Sequence, residues 1–421
     1  MQAVLLAAGE CSRFKPLSDG MHKCMVSIFG KTIIERTVEN LKQIGITDII
    51  IVQSPKSNIK TVLGDGSSLG VNIKYVVQKE SKGMGDAVLL AEKYIDNAFF
   101  VLNANSFEVL ELLDLMQRKF KKTGAGNVLL GKKTNMPWNY GIVALDTKVK
   151  DKVVNLIEKP VKGKEPSDIR LVGIYFLPQD FFEYYRRVKV HQYAFEDALK
   201  LYMGENDTRI VMTDKGMPTM KYPWDLFNVS DIMFSGMKSH ISKSAKVDKS
   251  AKIEGLVHIG KNTKVFENAV IKGPCYIGDN CVVGNNALIR NSVIEAKSIV
   301  GANCEVARTI ILKGTHIHSG FFGDTIIGEN CRIGAGMITG NVRIDRDEIT
   351  SEVKGSEVST NMNSFGVIIG HNTRVGIHVS TMPGVIIGSG CTVGPNTVVM
   401  KNIDPNMICY SKFENIVKKR K

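Results

Sequence analysis

A turn of small residues followed by cations is the first part of this sequence equipped for chemistry. In Leu6-Ala7-Ala8-Gly9-Glu10-Cys11-Ser12-Arg13-Phe14-Lys15 an apolar strand runs into Ala8 and Gly9, and basic groups follow, with Lys23 beyond them. Backbone N–H groups of such a turn can approach an anion closely, so the pattern suits a phosphate, although most such turns are only turns. Farther along, His316 and His318 stand one residue apart. Read without neighbours, each is a surface residue on a coil. The eight cysteines form no Cys-x-x-Cys pair, which argues against a cysteine metal site.

Two kinds of element must position these groups. The first ~235 residues alternate short apolar runs with amphipathic stretches, the pattern of an α/β domain. Strands are expected at 3–7, 48–52, 73–77, 99–102, 127–130, 141–144 and 171–176, and helices at 33–44, 86–94, 108–120 and 195–203. From Ile241 the period becomes six: Val247, Ile253, Ile259, Val265, Ile271, Ile277, Val283 and Ile289 are all aliphatic. A six-residue period fits neither a helix nor an ordinary strand, and predicts a parallel β-helix of hexapeptide coils. Gly often follows the ladder residue, as at Gly260, Gly278 and Gly284, and is expected at corners that a Cβ would penalise. Cys275, Cys281, Cys304, Cys331 and Cys391 stand two residues before a ladder position and read as compact apolar filler.

These patterns predict an α/β domain over 1–236, a β-helix over 237–405 with an inserted arm near 341–366, and a basic tail over 406–421. The formal net charge of +13 is spread along the chain apart from Lys418-Lys419-Arg420-Lys421. No nucleic-acid motif accompanies it, so anionic small molecules are the expected partners rather than nucleic acid. No long apolar run predicts a membrane span, and the apolar N-terminus lacks the basic region of a signal peptide. A cytoplasmic home is expected.

In sequence order, the first loop, Lys23, Gln78 with Gly83-Met84-Gly85-Asp86, Tyr140-Gly141-Ile142-Val143, Glu158-Lys159-Pro160 and Gly173-Ile174-Tyr175 resemble the motifs of sugar-1-phosphate nucleotidylyltransferases. The resemblance implies a Rossmann-like mixed sheet and transfer of a nucleotidyl group from a nucleoside triphosphate to a sugar 1-phosphate, with Mg²⁺. It assigns Arg13 and Lys23 to the phosphates, Ala8, Gly9, Gln78 and Gly83 to the nucleotide, and Gly141 and Glu158 to the sugar. The family's metal carboxylates fall at Asn105 and Thr219, two neutral residues. Weaker Mg²⁺ affinity is expected from that change. Cys11 replaces the loop's third glycine and Met84 a threonine.

The stretch from Lys313 to Asp324, together with Gly334-Ala335-Gly336-Met337-Ile338-Thr339-Gly340-Asn341, resembles the glucosamine-1-phosphate acetyltransferase coils of left-handed β-helices. That resemblance implies acetyl-CoA as co-substrate, His318 as general base with His316 as competitor, Asn341 in contact with the amino sugar, and a homotrimer. Phe321 stands where relatives carry an aromatic hydroxyl, and Asp347 and Thr350 stand where they carry arm lysines. The whole resembles two-domain archaeal-type proteins, with UDP-N-acetylglucosamine as the leading product. The alternatives are a catalytically degenerate regulatory relative and an enzyme with one active domain.

Overall fold

The computed structural model describes residues 1–80, 83–215, 217–218 and 220–420. By internal packing the chain divides into one unit of Met1–Glu10, Gly20–Met25 and Thr32–Pro218, and another of Cys11–Asp19, Val26–Lys31 and Thr219–Lys421.

The first unit is built on a mixed sheet. We label β1 (Gln2–Ala7), α1 (Ile33–Gln43), β2 (Asp48–Gln53), β3 (Asn72–Val77), α2 (Met84–Leu90), β4 (Phe99–Asn103), α3 (Leu110–Thr123), β5 (Asn127–Lys133), β6 (Gly141–Leu145), β7 (Val153–Glu158), β8 (Ile169–Leu177), α4 (Phe181–Arg186), α5 (Ala194–Glu205) and β9 (Thr208–Met212). The strand order is β9-β5-β8-β4-β1-β2-β3, with β6 paired to β8 and β7 to β6. Val4 and Leu5 of β1 are both fully buried although they point to opposite faces. Such continuous burial is what a parallel strand covered by helices on both sides requires. α1 starts at a capping box: Thr32 Oγ1 accepts the Glu35 N–H, and the Glu35 carboxylate accepts the Thr32 N–H at 2.6 Å.

The expected strands are present, and among the described residues this sheet holds two more that the sequence pattern missed. β7 and β9 lie at margins of the sheet and are partly open to solvent. Such strands carry too little apolar alternation to stand out. The helix expected over 86–94 instead runs Met84–Leu90 and tightens into a 3₁₀ turn at Glu92–Tyr94.

The second unit is the left-handed parallel β-helix, with α6 (Asp225–Gly236) packed beside its coils. Its three faces carry stacked parallel strands with the ladder residues pointing inward. Successive rungs on one face are Ile241, Ile259, Ile277, Ile294, Ile311 and Ile327. The coil thus shortens where the sequence ladder slips. Ile327 then pairs with Ile369, so an inserted segment leaves the stack without disturbing its register. Within that segment Ile349–Val353 and Ser356–Met362 form an antiparallel hairpin.

Two local readings change. Gly260, Gly278 and Gly284 do not hold left-handed backbone; that conformation falls on Asn262, Asn280 and Asn286. What these glycines answer is crowding, since a Cβ on Gly284 would lie 2.5 Å from the Ala302 nitrogen of the next coil. The cysteines are buried as expected, but they are more than apolar filler. Cys281 Sγ bonds the Glu295 carbonyl at 3.2 Å and Cys331 Sγ the Gly370 carbonyl at 3.1 Å. Thr315, at the same position of its own coil, bonds the Gly328 carbonyl at 2.7 Å and accepts the Cys331 N–H. Burial pushes the Cys275, Cys281, Cys304 and Cys331 thiols up to about 11.

Because backbone atoms of the next coil cannot yield, Gly284→Ala should destabilise the β-helix by about 1–3 kcal/mol. Equilibrium denaturation followed by far-UV circular dichroism measures this. An unchanged midpoint would show that the coils can part at little cost.

Candidate functional site

The carboxyl ends of β1, β3 and β4 carry most of the residues expected to meet a nucleotide, at the edge where open α/β sheets bind ligands. Ala8 and Gly9 follow β1, Gln78 follows β3, and Asn103 ends β4, with Asn105 two residues beyond. β8 runs antiparallel to β4, with Ile174 opposite Leu102, so its first residues overhang this edge. The overhang pairs with β6 through Arg170 and Ile142, which brings the β6–β7 hairpin to the same side. Gly141 and Glu158 are cross-strand partners there. A Cβ on Gly141 would come 2.7 Å from Glu158 Oε2, so glycine leaves the space the carboxylate occupies.

Gln78 is buried, and its Nε2 donates to Asp86 Oδ2 at 2.8 Å. That bond fixes the amide, and its Oε1 is the group left to accept a hydrogen bond from a ligand. Gly83 is left-handed with φ 105°, and a Cβ there would meet the Gln192 carbonyl at 3.3 Å. Lys23 is half-buried beside His22, whose imidazole is lowered to about 3 by burial and by the Lys23 charge. His22 is therefore neutral at neutral pH, and its Nδ1 accepts the Cys24 N–H. Burial pushes the Glu158 carboxyl above the usual carboxylate range, offset in part by Lys159. Glu196 on α5 is also raised, by burial first and then by the Glu158 charge among others. Lys159 Nζ meets Tyr193 Oη at 3.0 Å.

Arg13 is exposed in the short 3₁₀ turn Ser12–Phe14 of the second unit. Cys11 takes the left-handed conformation before it, φ 53°, a backbone that suits glycine and strains a cysteine. Asn105 is half-buried in the turn after β4 and offers a neutral amide. Thr219 lies outside the described residues. Asp225 is engaged, its Oδ2 accepting the Tyr222 N–H at 2.8 Å. Among the described residues no group of three or more His, Cys, Asp or Glu is arranged to hold a metal ion. At the two positions to which the resemblance assigns metal carboxylates, this sequence carries the neutral Asn105 and Thr219.

On the β-helix, His316 and His318 flank the inward Ile317 and so share the outer face of one coil. Both line a groove of about 560 Å³. His316 is lowered by burial and by the Arg332 charge. Asn341 lies at the other end of the strand that follows, Gly320–Gly323. Its amide and the Phe321 ring converge over Gly323, where a Cβ would meet them at 2.6 and 2.9 Å. Asn341 Nδ2 donates to Asp324 Oδ2 at 2.6 Å, and Asp324 holds Arg308 in a fork at 2.5 and 2.7 Å. The Asn341 amide is thereby oriented, with Oδ1 left for a ligand.

Arg308, Arg332 and Arg374 carry no motif in the sequence, and Asp324 only ends one. Arg332 and Arg374 each precede an inward ladder residue by one, just as His316 does. That shared offset was visible, but the inserted arm hid that the two arginines are neighbours.

Residues 2–233 match the family described as nucleotidyl transferase, and residues 237–312 match the GMPPB C-terminal domain. Residues 324–340 match the hexapeptide repeat of succinyl-transferase, and residues 366–401 the bacterial transferase hexapeptide of six repeats. The chain is 33% identical to proteins named bifunctional protein GlmU from Methanococcus vannielii and from Methanocaldococcus jannaschii, over 100% of each chain. It is 30% identical to a bifunctional sugar-1-phosphate nucleotidylyltransferase/acetyltransferase of Sulfurisphaera tokodaii, over 96% of this chain and 98% of that protein.

The Arg308–Asp324–Asn341 link yields a stability prediction. Asp324→Ala strands a cation and an amide, and should cost roughly 1–3 kcal/mol because Arg308 is part-exposed and can rehydrate. Urea denaturation tests this. A midpoint equal to that of the parent chain would show that the link orients nothing.

Proposed function

Because the chain belongs to the family of bifunctional sugar-1-phosphate nucleotidylyltransferase/acetyltransferases, we propose that it makes a nucleotide-activated amino sugar by two transfers, with UDP-N-acetylglucosamine as product. The observation that best supports this is the end-to-end alignment with relatives whose names carry both activities. In the proposed division of labour, residues 237–405 with the arm near 341–366 acetylate the amino sugar, and residues 1–236 attach the nucleotide. The basic tail at 406–421 has no assigned part.

In the first transfer the amine nitrogen of glucosamine 1-phosphate attacks the thioester carbonyl of acetyl-CoA. The N–C bond forms, the C–S bond breaks, and the amine's proton passes to His318 and then to the departing thiolate. Asn341 Oδ1 would accept a hydrogen bond from the sugar. In the second transfer a phosphate oxygen of the acetylated sugar attacks the α-phosphorus of the triphosphate and pyrophosphate leaves. Ala8, Gly9, Gln78 and Gly83 hold the nucleotide, and Gly141 and Glu158 the sugar. Arg13 and Lys23 offset phosphate charge. Gln78 Oε1 suits a base that presents a ring N–H, as uracil does. The working assembly is a cytoplasmic homotrimer.

A second reading, with only the acetyl transfer active, is favoured by the neutral Asn105 and by the lack of an acidic cluster among the described residues. Thiol release from acetyl-CoA and pyrophosphate release, assayed over a panel of sugar 1-phosphates with UTP, separate the two. Release of both products supports the two-transfer reading, thiol alone the second, and neither would sink both. Asn105→Asp combined with Thr219→Asp should raise Mg²⁺-dependent pyrophosphate release by roughly tenfold. An unchanged rate would show that these positions do not meet the metal.

A further inference from the structure

Two stretches near the N-terminus, Cys11–Asp19 and Val26–Lys31, pack as part of the second unit. The first of them carries Arg13 and is fastened to the β-helix at Pro16 and Leu17, both buried. His371 stands just past the strand Ile368–Ile369, on the coil that follows the inserted arm, and is itself buried. Its Nε2 meets the Leu17 carbonyl at 3.1 Å, and its Nδ1 accepts the Glu329 N–H at 2.9 Å. A carbonyl can only accept and an amide N–H can only donate, so the hydrogen sits on Nε2 and both ring nitrogens are engaged. Ser389, one coil farther on, donates its hydroxyl to the Pro16 carbonyl at 3.2 Å and accepts the His371 N–H at 3.1 Å.

The stretch passes this hold on to Arg13 through its own bonds. Ser18 Oγ donates to the Cys11 carbonyl at 2.9 Å. The same carbonyl accepts the Phe14 N–H at 2.8 Å and so closes the 3₁₀ turn that carries Arg13. Phe14 is buried while Arg13 is exposed, so the turn is seated on one side and offers its cation on the other. The second stretch has an anchor of its own on an earlier coil. The buried Glu295 carboxylate accepts the Gly30 N–H at 3.2 Å, and the Phe29 ring lies 4.8 Å from both Phe234 and Tyr276. Along the chain the two anchored stretches bracket Gly20–Met25, which contains Lys23.

Resting on the nucleotidyl-transfer reading above, we infer that His371 and Ser389 are positioning residues for that transfer. By holding the Leu17 and Pro16 carbonyls they set the turn from which Arg13 meets the triphosphate. The β-helix then serves a reaction other than its own acetyl transfer, and it does so through two side chains rather than through bulk packing. Orientation is what they supply, because a cation displaced by about 1 Å from a phosphate loses much of its effect on the transfer.

The test, on the full chain, joins calorimetric binding of UTP with Mg²⁺, pyrophosphate-release kinetics and hydrogen exchange read by mass spectrometry over residues 11–19. His371→Ala should speed exchange there, weaken UTP binding about tenfold and raise the UTP KM by a similar factor, with the acetyl-CoA KM unchanged. His371→Gln keeps an N–H donor near the place of Nε2 and should return UTP binding to within about threefold of the parent. Ser389→Ala leaves the Leu17 bond in place and should cause a smaller loss than His371→Ala. Faster exchange with UTP binding unchanged would overturn the inference and reduce both residues to packing. So would equal losses in the Ala and Gln variants, or a loss shared by the UTP and acetyl-CoA constants, the mark of a general loosening of the chain. UTP binding that follows the expected pattern without pyrophosphate release would uphold the positioning role and reject the nucleotidyl-transfer reading instead. A parent chain that does not bind UTP would sink both.

Discussion

The second unit depends on how closely one coil lies upon the next. Each rung donates its backbone N–H groups to the coil beyond it, as Gly284 does to Val300 and Gly301 to Ile317. The distance between coils is therefore set by hydrogen bonding rather than by side-chain size. Inward positions must then fill a tube of constant bore, which Ile and Val do on the ladder while Cys, Thr, Ser and Ala occupy the tighter inner positions. The hydroxyls and thiols also settle a second demand. Near the corners some backbone groups lack a ladder partner, and Thr263 and Thr315 each bond one carbonyl and accept one N–H.

Register of this rigidity turns sequence offset into spatial alignment. On any one face, residues that precede an inward rung by one fall into a single outer column whatever their separation along the chain. The pairing of Ile327 with Ile369 and of Arg332 with Arg374 shows this across the inserted hairpin. A site on such a scaffold needs no loop to hold it. His318 owes its position to a strand that cannot slide, and Arg308, Asp324 and Asn341 lock the far end of the next strand.

The first unit positions its groups differently. Its ligand edge is assembled from strand ends and turns, so each side chain there needs its own support. Gln78 is held by Asp86, Lys159 by Tyr193, and Glu158 by the space left at Gly141. The charge pattern of this edge is mixed. Glu158 and Glu196 both sit where burial disfavours ionisation, while the turn after β4 carries the neutral Asn105. For both carboxyl groups the first cause is burial, with their mutual charge acting in the same direction on Glu196.

The two units also differ in how much their sequences reveal, for the same physical reason. A six-residue period imposed by a constant bore is legible from Ile241 onward, and with it the inward cysteines and the short coils at the ladder's slips. Column neighbours are legible only after the register across residues 341–366 is known, as the pairing of Arg332 with Arg374 illustrates. In the first unit the parallel strands announce themselves by continuous burial, whereas β7 and β9 do not. Asp86, Glu196 and Tyr193 stay silent because they act through contacts between distant turns. Periodicity reports constraints that repeat. The parts of a site that select a ligand are the places where the repeat carries an exception, and an exception has meaning only once its neighbours in space are known.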